Sequence, residues 1–445
     1  MSVHSELEFA GDVDLQELLL HSSTGAVISL LDYLVEMTIT EDMFSNFLNG
    51  EITISDSGNI IRRMPIVGEE YLIVKIKTPS IDQRIDRIFR IYAVHNRTII
   101  KDQNTQIYVL KFCSTEALLD SLTPLFNAFE GRIDIVVTKL YEDYLKSLKN
   151  FTVSRTDKEL SVEMTGEQLN LNVLTQTENS VKFVSPGWTP FKCINWLCSK
   201  SIPKSGKACN FLFWETTHGF YYGSVETLFE LDNNINIGTY SYSIPNTKDT
   251  TDTLNKMFLI ENIEIPNQSD YFRNFDLGYL ASNMLSLNMF NKKFEHYVYD
   301  HVEKFRDYKH SNFVNPVPLF SDYTLRNANT NIHLYPIYPN LFTNVIDNVN
   351  EKVPQIYGNR NSNIVELSNF RVNIIVPGRT DVEAGNKVSL YIPDIGPRSE
   401  EDISKNFVDT SYSGDYLITC ITHKFTPLRH YMAMELVKDS NRVLL

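Results

Sequence analysis

The chain has 445 residues, of which 42% are hydrophobic, 12% aromatic and 22% charged, and its formal net charge is −14. This balance is typical of a globular protein and excludes wholesale disorder. At roughly 150 residues per domain, the length predicts about three domains. No apolar run reaches the roughly 18–20 residues of a membrane span, and the N-terminus lacks the pattern of a signal peptide. We therefore expect a soluble protein, made in a cytoplasm, without stable membrane binding.

The negative charge is concentrated near the N-terminus. Eleven acidic residues precede Arg62, the first basic residue, whereas the rest of the chain holds 44 acids against 41 bases. The eleven are Glu6, Glu8, Asp12, Asp14, Glu17, Asp32, Glu36, Glu41, Asp42, Glu51 and Asp56. Proteins that track nucleic-acid phosphates carry the opposite sign, so a basic nucleic-acid footprint is excluded. Two interpretations stay open: a solvated surface that aids solubility, or an acidic surface that repels a polyanion or meets a basic partner.

Residues 1–120 are predicted to form a first antiparallel β domain. Alternating apolar and polar residues indicate strands, and clusters of turn-forming residues separate them. The predicted strands are 34–39, 51–55, 71–77, 88–94 and 106–112, with 43–48 as a short helical or looped connection. Five short strands of this kind are typical of a small barrel or sandwich.

Residues 121–245 are predicted to form an inserted α+β domain. Helical spacing begins at Thr115, continues over 133–149 and recurs over 190–201, where Thr189 is a candidate N-cap and Pro190 lies in the first turn. A hairpin is predicted from 211–214 and 219–222.

Residues 246–310 and 364–445 are predicted to form two parts of a second β domain, separated by an Asn/Pro-rich, loop-rich insertion at 311–363. The chain is therefore predicted to be mainly β with an α+β middle domain. The strand-forming segments predicted after residue 246 are 257–265, 278–299, 370–376, 387–392, 415–423 and 431–437.

The tail resembles the end of the first β domain. Residues 68–76 can be aligned with 385–393, residues 89–94 with 416–421, and residues 108–112 with 432–436. The first two blocks lie 21 residues apart in one copy and 31 in the other, so the tail copy carries a ten-residue insertion. A true duplication and a chance likeness between alternating strands both stay open.

Catalytic and metal-binding motifs are missing from the sequence. It contains no GxSxG, HExxH, P-loop, GxGxxG or EF-hand pattern, so we predict no catalytic residue, no cofactor and no metal. The best metal candidate, Glu295-His296 to Asp300-His301, places its two histidines on opposite faces of a strand. His95 and His423 follow strand ends, where a structural or exposed role is expected. The acids Glu400, Glu401 and Asp402 are expected in a solvated loop.

The cysteines and tryptophans are expected to be structural. Cys113, Cys193, Cys198, Cys209 and Cys420 are scattered, without a zinc-ribbon spacing, and are interpreted as small buried hydrophobes. The tryptophans Trp188, Trp196 and Trp214 all fall in the middle domain, where core packing or an interface role is expected.

The C-terminal run resembles the closing segment of baseplate hub proteins of contractile-tailed phages of the T-even type. The shared pattern is an apolar strand ending at Pro377-Gly378, a Gly-led strand from Gly385 to Pro393, and a Gly-x-Tyr-Leu-Ile segment that leads to His423. Residues 44–54 and 186–228 also look like this family, and the likeness is weakest across 311–363. The hub portion of type VI secretion spike proteins is related.

This resemblance implies two similar tube-forming β-barrel domains per chain, with inserted domains, and no enzymatic activity. It implies a homotrimer whose six barrels form a pseudo-sixfold ring in the virion baseplate. The implied partners are the trimeric central spike, the hexameric tail tube or its initiator, and baseplate wedge proteins. DNA would pass the lumen only transiently, during genome ejection. The alternatives are a tail-associated carbohydrate- or receptor-binding β protein and a cell-wall hydrolase.

Overall fold

In the computed structural model of the chain, the described residues are 7–22, 25–64, 66–100, 105–146, 150–155, 158–165, 169–230, 236–242, 253–267, 270–289, 292–315, 331–337, 349–394 and 408–442. The strands are β1 (Asp14–His21), β2 (Val27–Ser29), β3 (Leu34–Asp42), β4 (Asn49–Asp56), β5 (Tyr71–Lys77), β6 (Arg84–Ile100), β7 (Thr105–Ser114), β8 (Ala128–Arg132), β9 (Asn150–Arg155), β10 (Lys158–Thr165), β11 (Leu171–Val173), β12 (Ser180–Val184), β13 (Phe211–Glu215), β14 (Phe220–Ser224), β15 (Asn236–Ser241), β16 (Asn262–Asn267), β17 (Ala281–Asn288), β18 (Lys293–Asp300), β19 (Ile332–Ile337), β20 (Arg371–Pro377), β21 (Lys387–Tyr391), β22 (Gly414–Phe425) and β23 (His430–Val437).

The described residues form fewer helices than strands. They are α1 (Ile60–Arg63), α2 (Thr115–Leu122), α3 (Ile133–Leu140), α4 (Pro190–Cys198), α5 (Val225–Glu230), α6 (Thr253–Lys256), α7 (Tyr271–Asp276), α8 (His301–Lys304) and α9 (Val349–Glu366). A π-helical turn, Tyr141–Leu145, extends α3. The mainly-β prediction is confirmed. None of the helices in the described ranges has the length and apolar character to cross a membrane.

One thirteen-stranded sheet runs through both ends of the chain. Its order is β16-β20-β23-β22-β3-β4-β7-β6-β5-β1-β2. In addition, β21 pairs with the N-terminal part of β22, and β15 pairs with β21. The order β3-β4-β7-β6-β5 repeats as β16-β20-β23-β22-β21. We call the first set of strands the N-terminal repeat and the second set the C-terminal repeat.

The two repeats also agree in register. In the N-terminal repeat, Ile91 pairs with Phe112 and Ala93 with Lys111, so Tyr92 is an extra, bulged residue. In the C-terminal repeat, Ile418 pairs with Leu436 and Cys420 with Glu435, so Thr419 is bulged. The alignment of 89–94 with 416–421 and of 108–112 with 432–436 reproduces these pairs. The alignment of 68–76 with 385–393 is wrong by one residue, because Tyr71 opposite Arg90 is equivalent to Lys387 opposite Leu417, not to Val388. The internal repeat predicted from the sequence is therefore confirmed, since chance alternation does not place a bulge at the same register.

Apart from 257–265, the predicted strands of both repeats are confirmed, but β1 and β2 were not predicted. In β1 the apolar residues Leu15, Leu18 and Leu19 follow helical spacing rather than alternation, so the pattern hides the strand.

Each repeat curls its sheet around its own core. The N-terminal core joins inward residues of β1 and β3–β7, and it also takes in Phe425 from β22. The C-terminal core joins residues of β20–β23 with Tyr240 of β15. The strand β15 thus belongs to the large sheet, although it lies before residue 245, the predicted end of the middle domain.

The middle region has a core of its own. Helices α3 and α4 pack with β13 and β14, and the predicted hairpin 211–222 is confirmed, with Phe213 opposite Tyr222. A fourth cluster, which includes Trp214, Val225, Ala384 and Leu417, joins this region to the C-terminal repeat.

Two predictions after residue 246 are wrong in detail. Within 257–265, only the end lies in a strand, because Met257–Ile260 follow the short helix α6 as turns and a bridge. Within the insertion 311–363, predicted to be loop-rich, residues 332–337 form β19 and residues 349–363 belong to the 18-residue helix α9. Helix α9 packs on the sheet β18-β17-β19, and this packing compensates for the Asn-rich sequence and for Pro354. Residues 316–330 and 338–348 lie outside the described residues.

Candidate functional site: the junction between the repeats and its open edges

The two repeats are joined edge to edge by strands β3 and β22. These strands pair antiparallel from Cys420 opposite Asp42 to Phe425 opposite Met37. Met37 and Phe425 are both fully buried. Phe425 therefore places a side chain of the C-terminal repeat inside the core of the N-terminal repeat.

Hydrogen bonds to Glu41 connect the junction with two further segments of the chain. Its carboxylate accepts the backbone N–H of Thr217 at 2.8 Å and the backbone N–H of Ala384 at 2.8 Å, one on each oxygen. Burial raises the pKa of Glu41, but the adjacent His423 imidazole and the donors from Ala384 and Thr217 outweigh it and hold the pKa below its ordinary value. A fully buried carboxylate thus links both repeats and the middle region.

His423 and His430 form a buried pair beside Glu41. Their rings share a hydrogen bond of 3.0 Å between Nδ1 of His423 and Nε2 of His430, and both residues have no exposed surface. Burial, with a smaller contribution from His423, lowers the pKa of His430 well below its ordinary value, so His430 is neutral near pH 7. Gly378 leaves room for this ring, because a Cβ there would lie 2.1 Å from it.

A second buried charge connects the N-terminal repeat to the middle region. Arg87 of β6 forms an ion pair with Glu215 and donates to the carbonyl of Thr216 at 2.7 Å. Glu215 also accepts the backbone N–H of Leu48 at 2.9 Å. Burial lowers the pKa of Arg87, but Glu215 and Glu116 outweigh it and raise the pKa above its ordinary value.

The outward face of the large sheet is polar and slightly acidic. We define this outward face by the strand run from β16 through β7. It carries six acids, Glu36, Asp42, Glu51, Glu264, Asp415 and Glu435, and three bases, Lys111, Arg371 and Lys424. Every base is in an ion pair: Lys111–Glu51 at 2.8 Å, Lys424–Glu36 at 2.8 Å and Arg371–Glu435 at 3.1 Å. The face therefore offers no unpaired cation to a phosphate.

The eleven N-terminal acids do not form one surface. Asp12, Glu41 and Asp56 are buried, whereas Glu36, Asp42 and Glu51 lie on the outward face. Glu17 forms an ion pair with Lys75 at 2.9 Å, and Glu6 lies outside the described residues.

Several strand edges of the large sheet remain open in the described part of the chain, including those of β2 and β15, and two of them are equivalent to the strands of the junction. The strand β16 pairs only with β20, and the second half of β6, after Ile91, pairs only with β7. The open part of β6 exposes Val94, whose exposed fraction is 37%, and Ile99, whose exposed fraction is 66%. On β16, Ile265 is 38% exposed.

A cluster of His310, Glu366 and Asp439 brings together three metal-ligand types, but its geometry does not fit a metal. Nδ1 of His310 lies 2.7 Å from a carboxylate oxygen of Asp439, and Nε2 lies 2.7 Å from the carbonyl oxygen of Phe305. Both neighbours are acceptors, so both ring nitrogens donate and neither has a lone pair for a metal. Burial lowers the pKa of His310, but Asp439 and Glu366 outweigh it and raise the pKa to about 9.

The sequence-derived metal candidates lie apart. Nε2 of His296 lies in hydrogen-bond contact with Oδ1 of Asn283 at 2.9 Å. In contrast, His301 is buried, and its ring nitrogens contact the hydroxyl groups of Tyr279 and Ser362. His95 is exposed and His423 is buried in the junction. Glu400, Glu401 and Asp402 lie outside the described residues.

The tryptophans and cysteines take structural positions. Trp188 and Trp196 contact each other with ring centroids 5.9 Å apart, while Trp214 donates to the carbonyl of Ala384 at 3.1 Å across the contact with the C-terminal repeat. Three cysteines are buried, and Cys113 and Cys420 are half-buried on the outward face.

The fold of the chain is similar to that of a known tail protein. The tail protein from Neisseria meningitidis MC58 superposes over 97% of this chain and 97% of its own, with a TM-score of 0.51 and 12% identity. A 43 kDa tail protein of prophage MuSo2 from Shewanella oneidensis gives a TM-score of 0.49 and 8% identity over 95% of this chain and 98% of its own. A component of the E. coli type VI secretion system gives a TM-score of 0.39 and 8% identity over 97% of this chain and 79% of its own.

No protein-family model matches the chain, and no curated protein sequence matches it. The predicted resemblance to phage tail proteins is confirmed at the level of the fold, because the first of these superpositions extends over both chains almost completely.

Proposed function

We propose that this chain is a non-enzymatic structural subunit of a contractile phage tail baseplate, and that it forms the hub. In this function, three copies form a ring of six repeats that joins a trimeric central spike to a hexameric tail tube, with baseplate wedge proteins as neighbours. The observation that carries the proposal is the edge-to-edge joining of two equivalent repeats through β3 and β22. A chain with two equivalent units matches threefold and sixfold partners, since three such chains present six similar units.

The fold supports the same assignment, because the protein from Neisseria meningitidis MC58 that superposes over almost the whole of both chains is a tail protein. The large sheet also has open edges that a ring would cover, and exposed edges are a liability in an isolated β protein.

Passage of DNA through the ring is supported by the outward face. A conduit for a polyanion needs a wall that does not retain phosphate, and a wall with an unpaired lysine or arginine would do so. On the outward face each of the three bases is already paired with an acid. We place this face toward the lumen, so that DNA crosses it without stable binding.

The experiment is a measurement of solution mass by light scattering, with negative-stain images of the same sample. We expect three times 51.3 kDa, about 154 kDa, and a ring with a central hole. If the chain alone is a monomer, the measurement is repeated with a trimeric spike protein. A chain that forms no ring in either sample contradicts the proposed function.

A further inference from the structure

The internal junction predicts how one chain contacts the next. This inference rests on the proposed ring and identifies the surfaces that close it. The N-terminal repeat contributes β3 to the internal junction, and the C-terminal repeat contributes β22. The strand of the C-terminal repeat that corresponds to β3 is β16. The strand of the N-terminal repeat that corresponds to β22 is β6. Each of these counterparts has an edge that pairs with no other strand in the described part of the chain.

The open edges expose apolar side chains whose counterparts are buried. Val94 corresponds to Ile421, and Ile99 corresponds to Phe425, because each pair has the same partner position on the neighbouring strand. Ile421 and Phe425 are fully buried, whereas Val94 is 37% and Ile99 is 66% exposed. The apolar surface that the internal junction removes from water is therefore left uncovered on β6.

The register of the missing contact follows from the register of the internal one. Lys424 lies opposite Thr38, and Phe425 lies opposite Met37. Thr98 and Ile99 occupy the positions of Lys424 and Phe425, because they pair with the corresponding residues of β7. By the same comparison, Glu264 and Ile263 occupy the positions of Thr38 and Met37.

We propose that β6 of one chain pairs antiparallel with β16 of a second copy, with Thr98 opposite Glu264 and Ile99 opposite Ile263. Ile99 then enters the C-terminal core of the neighbour, against which Ile263 already packs. The contact is head-to-tail, since β6 and β16 are different strands. A head-to-tail contact closes into a ring when its rotation permits.

Irregularities on the two edges meet in this register. The strand β6 has a register shift between His95 and Thr98, and β16 has one between Glu264 and Asn267. In the proposed pairing these two shifts face each other. Pro266, which has no backbone N–H to donate, lies within the shifted part of β16. Bulged edges resist pairing with unrelated strands, so matching shifts favour a second copy of this chain.

The test is a disulfide between neighbouring chains. Directly opposed residues of an antiparallel pair have Cα atoms about 4.5–5.5 Å apart, which a disulfide can span. The double variant Thr98→Cys/Glu264→Cys replaces two exposed residues. We expect mild oxidation to move most of the protein from the one-chain band to two-chain and three-chain bands on a non-reducing gel, with none beyond three.

Three controls define the outcome. Each single variant should stay in the one-chain band, because a head-to-tail contact does not place a residue opposite itself. The pair Thr98→Cys/Ile265→Cys should also fail to cross-link, because a one-residue slip turns the side chain to the other face. A particle of trimeric mass in which Thr98→Cys/Glu264→Cys does not cross-link overturns the edge pairing and leaves the hub function standing. A chain that forms no trimer, with or without a spike, overturns both.

Discussion

Tyr92 and Thr419 occupy the same place in the two halves of the chain, since each is the one bulged residue between equivalent pairs of the β6–β7 and β22–β23 ladders. The two sequences share little at these positions, yet the registers on both sides agree. A bulge bends a strand and increases its twist. The two repeats therefore bend their sheets at equivalent points, and equivalent curvature is what a ring of similar units requires.

The buried carboxylate Glu41 provides the first prediction. Glu41→Gln keeps the size of the side chain but replaces one acceptor oxygen with a donor that faces a backbone N–H of Thr217 or Ala384. Leaving a buried donor unpaired and removing a charge-assisted bond should lower the free energy of unfolding by about 2–4 kcal/mol. Urea denaturation measures this loss.

The matched control is Glu36→Gln on the same strand. Glu36 pairs with Lys424, but both side chains are more than one-third exposed, so the loss should stay within about 1 kcal/mol. If both variants lose the same free energy of unfolding, Glu41 does not stabilise the junction.

The exposed Ile99 provides the second prediction. Ile99→Asp should leave the stability of the isolated chain within about 0.5 kcal/mol of wild type, because the side chain is 66% exposed. In the trimer it should place a charge in the neighbour's core and abolish assembly, as measured by light scattering. Leu122→Asp is the control, since Leu122 is 70% exposed on α2, away from both open edges. Assembly of Ile99→Asp at the wild-type level would contradict the edge pairing.

Much of the fold could be predicted from the sequence, because the strands of both repeats alternate cleanly. Glu41 was missed as a junction residue, although the signal was present. It follows Met37 and Ile39 at a spacing of two, on the face that points to the core. Its partners Thr217 and Ala384 are distant in sequence, and no local pattern connects them. The helix α9 was missed because tertiary packing outweighs its Asn-rich sequence.

His310 provides a prediction about pH. Its pKa of about 9 in the folded chain lies above the ordinary value of 6.5, so the folded state binds the proton more tightly than the unfolded state. This contribution to stability is complete below pH 6.5 and is lost as the pH rises through 9. The shift corresponds to about 3 kcal/mol.

The measurement compares wild type with His310→Gln by urea denaturation at several pH values. The difference in unfolding free energy should shrink by about 3 kcal/mol between pH 6.5 and pH 9 or slightly above. Using the difference removes the contribution of titrating groups that do not interact with His310, such as Lys200 and Lys438. His95→Gln, an exposed histidine, should show no such change. A constant difference across this range would mean that His310 is not held as a cation by Asp439.

The outward face provides the last prediction. The double variant Glu36→Lys/Glu51→Lys adds two cations to each chain and also frees Lys424 and Lys111 from their ion pairs. If this face lines the lumen, the trimer should retain short linear DNA at low salt and release it at high salt. It should not retain covalently closed circular DNA, which cannot thread through a ring. Filter binding of the purified trimer measures both.

The control carries the same change of charge on the middle region. Glu130→Lys/Glu142→Lys frees Lys182 and Lys146, and the acidic side chains are 62% and 53% exposed. On an outer wall these cations should retain linear and circular DNA alike. If the outward-face variant also retains circular DNA, the outward face lies on the outside of the ring. Linear and circular DNA differ only in whether they have ends, and only binding inside a lumen requires an end.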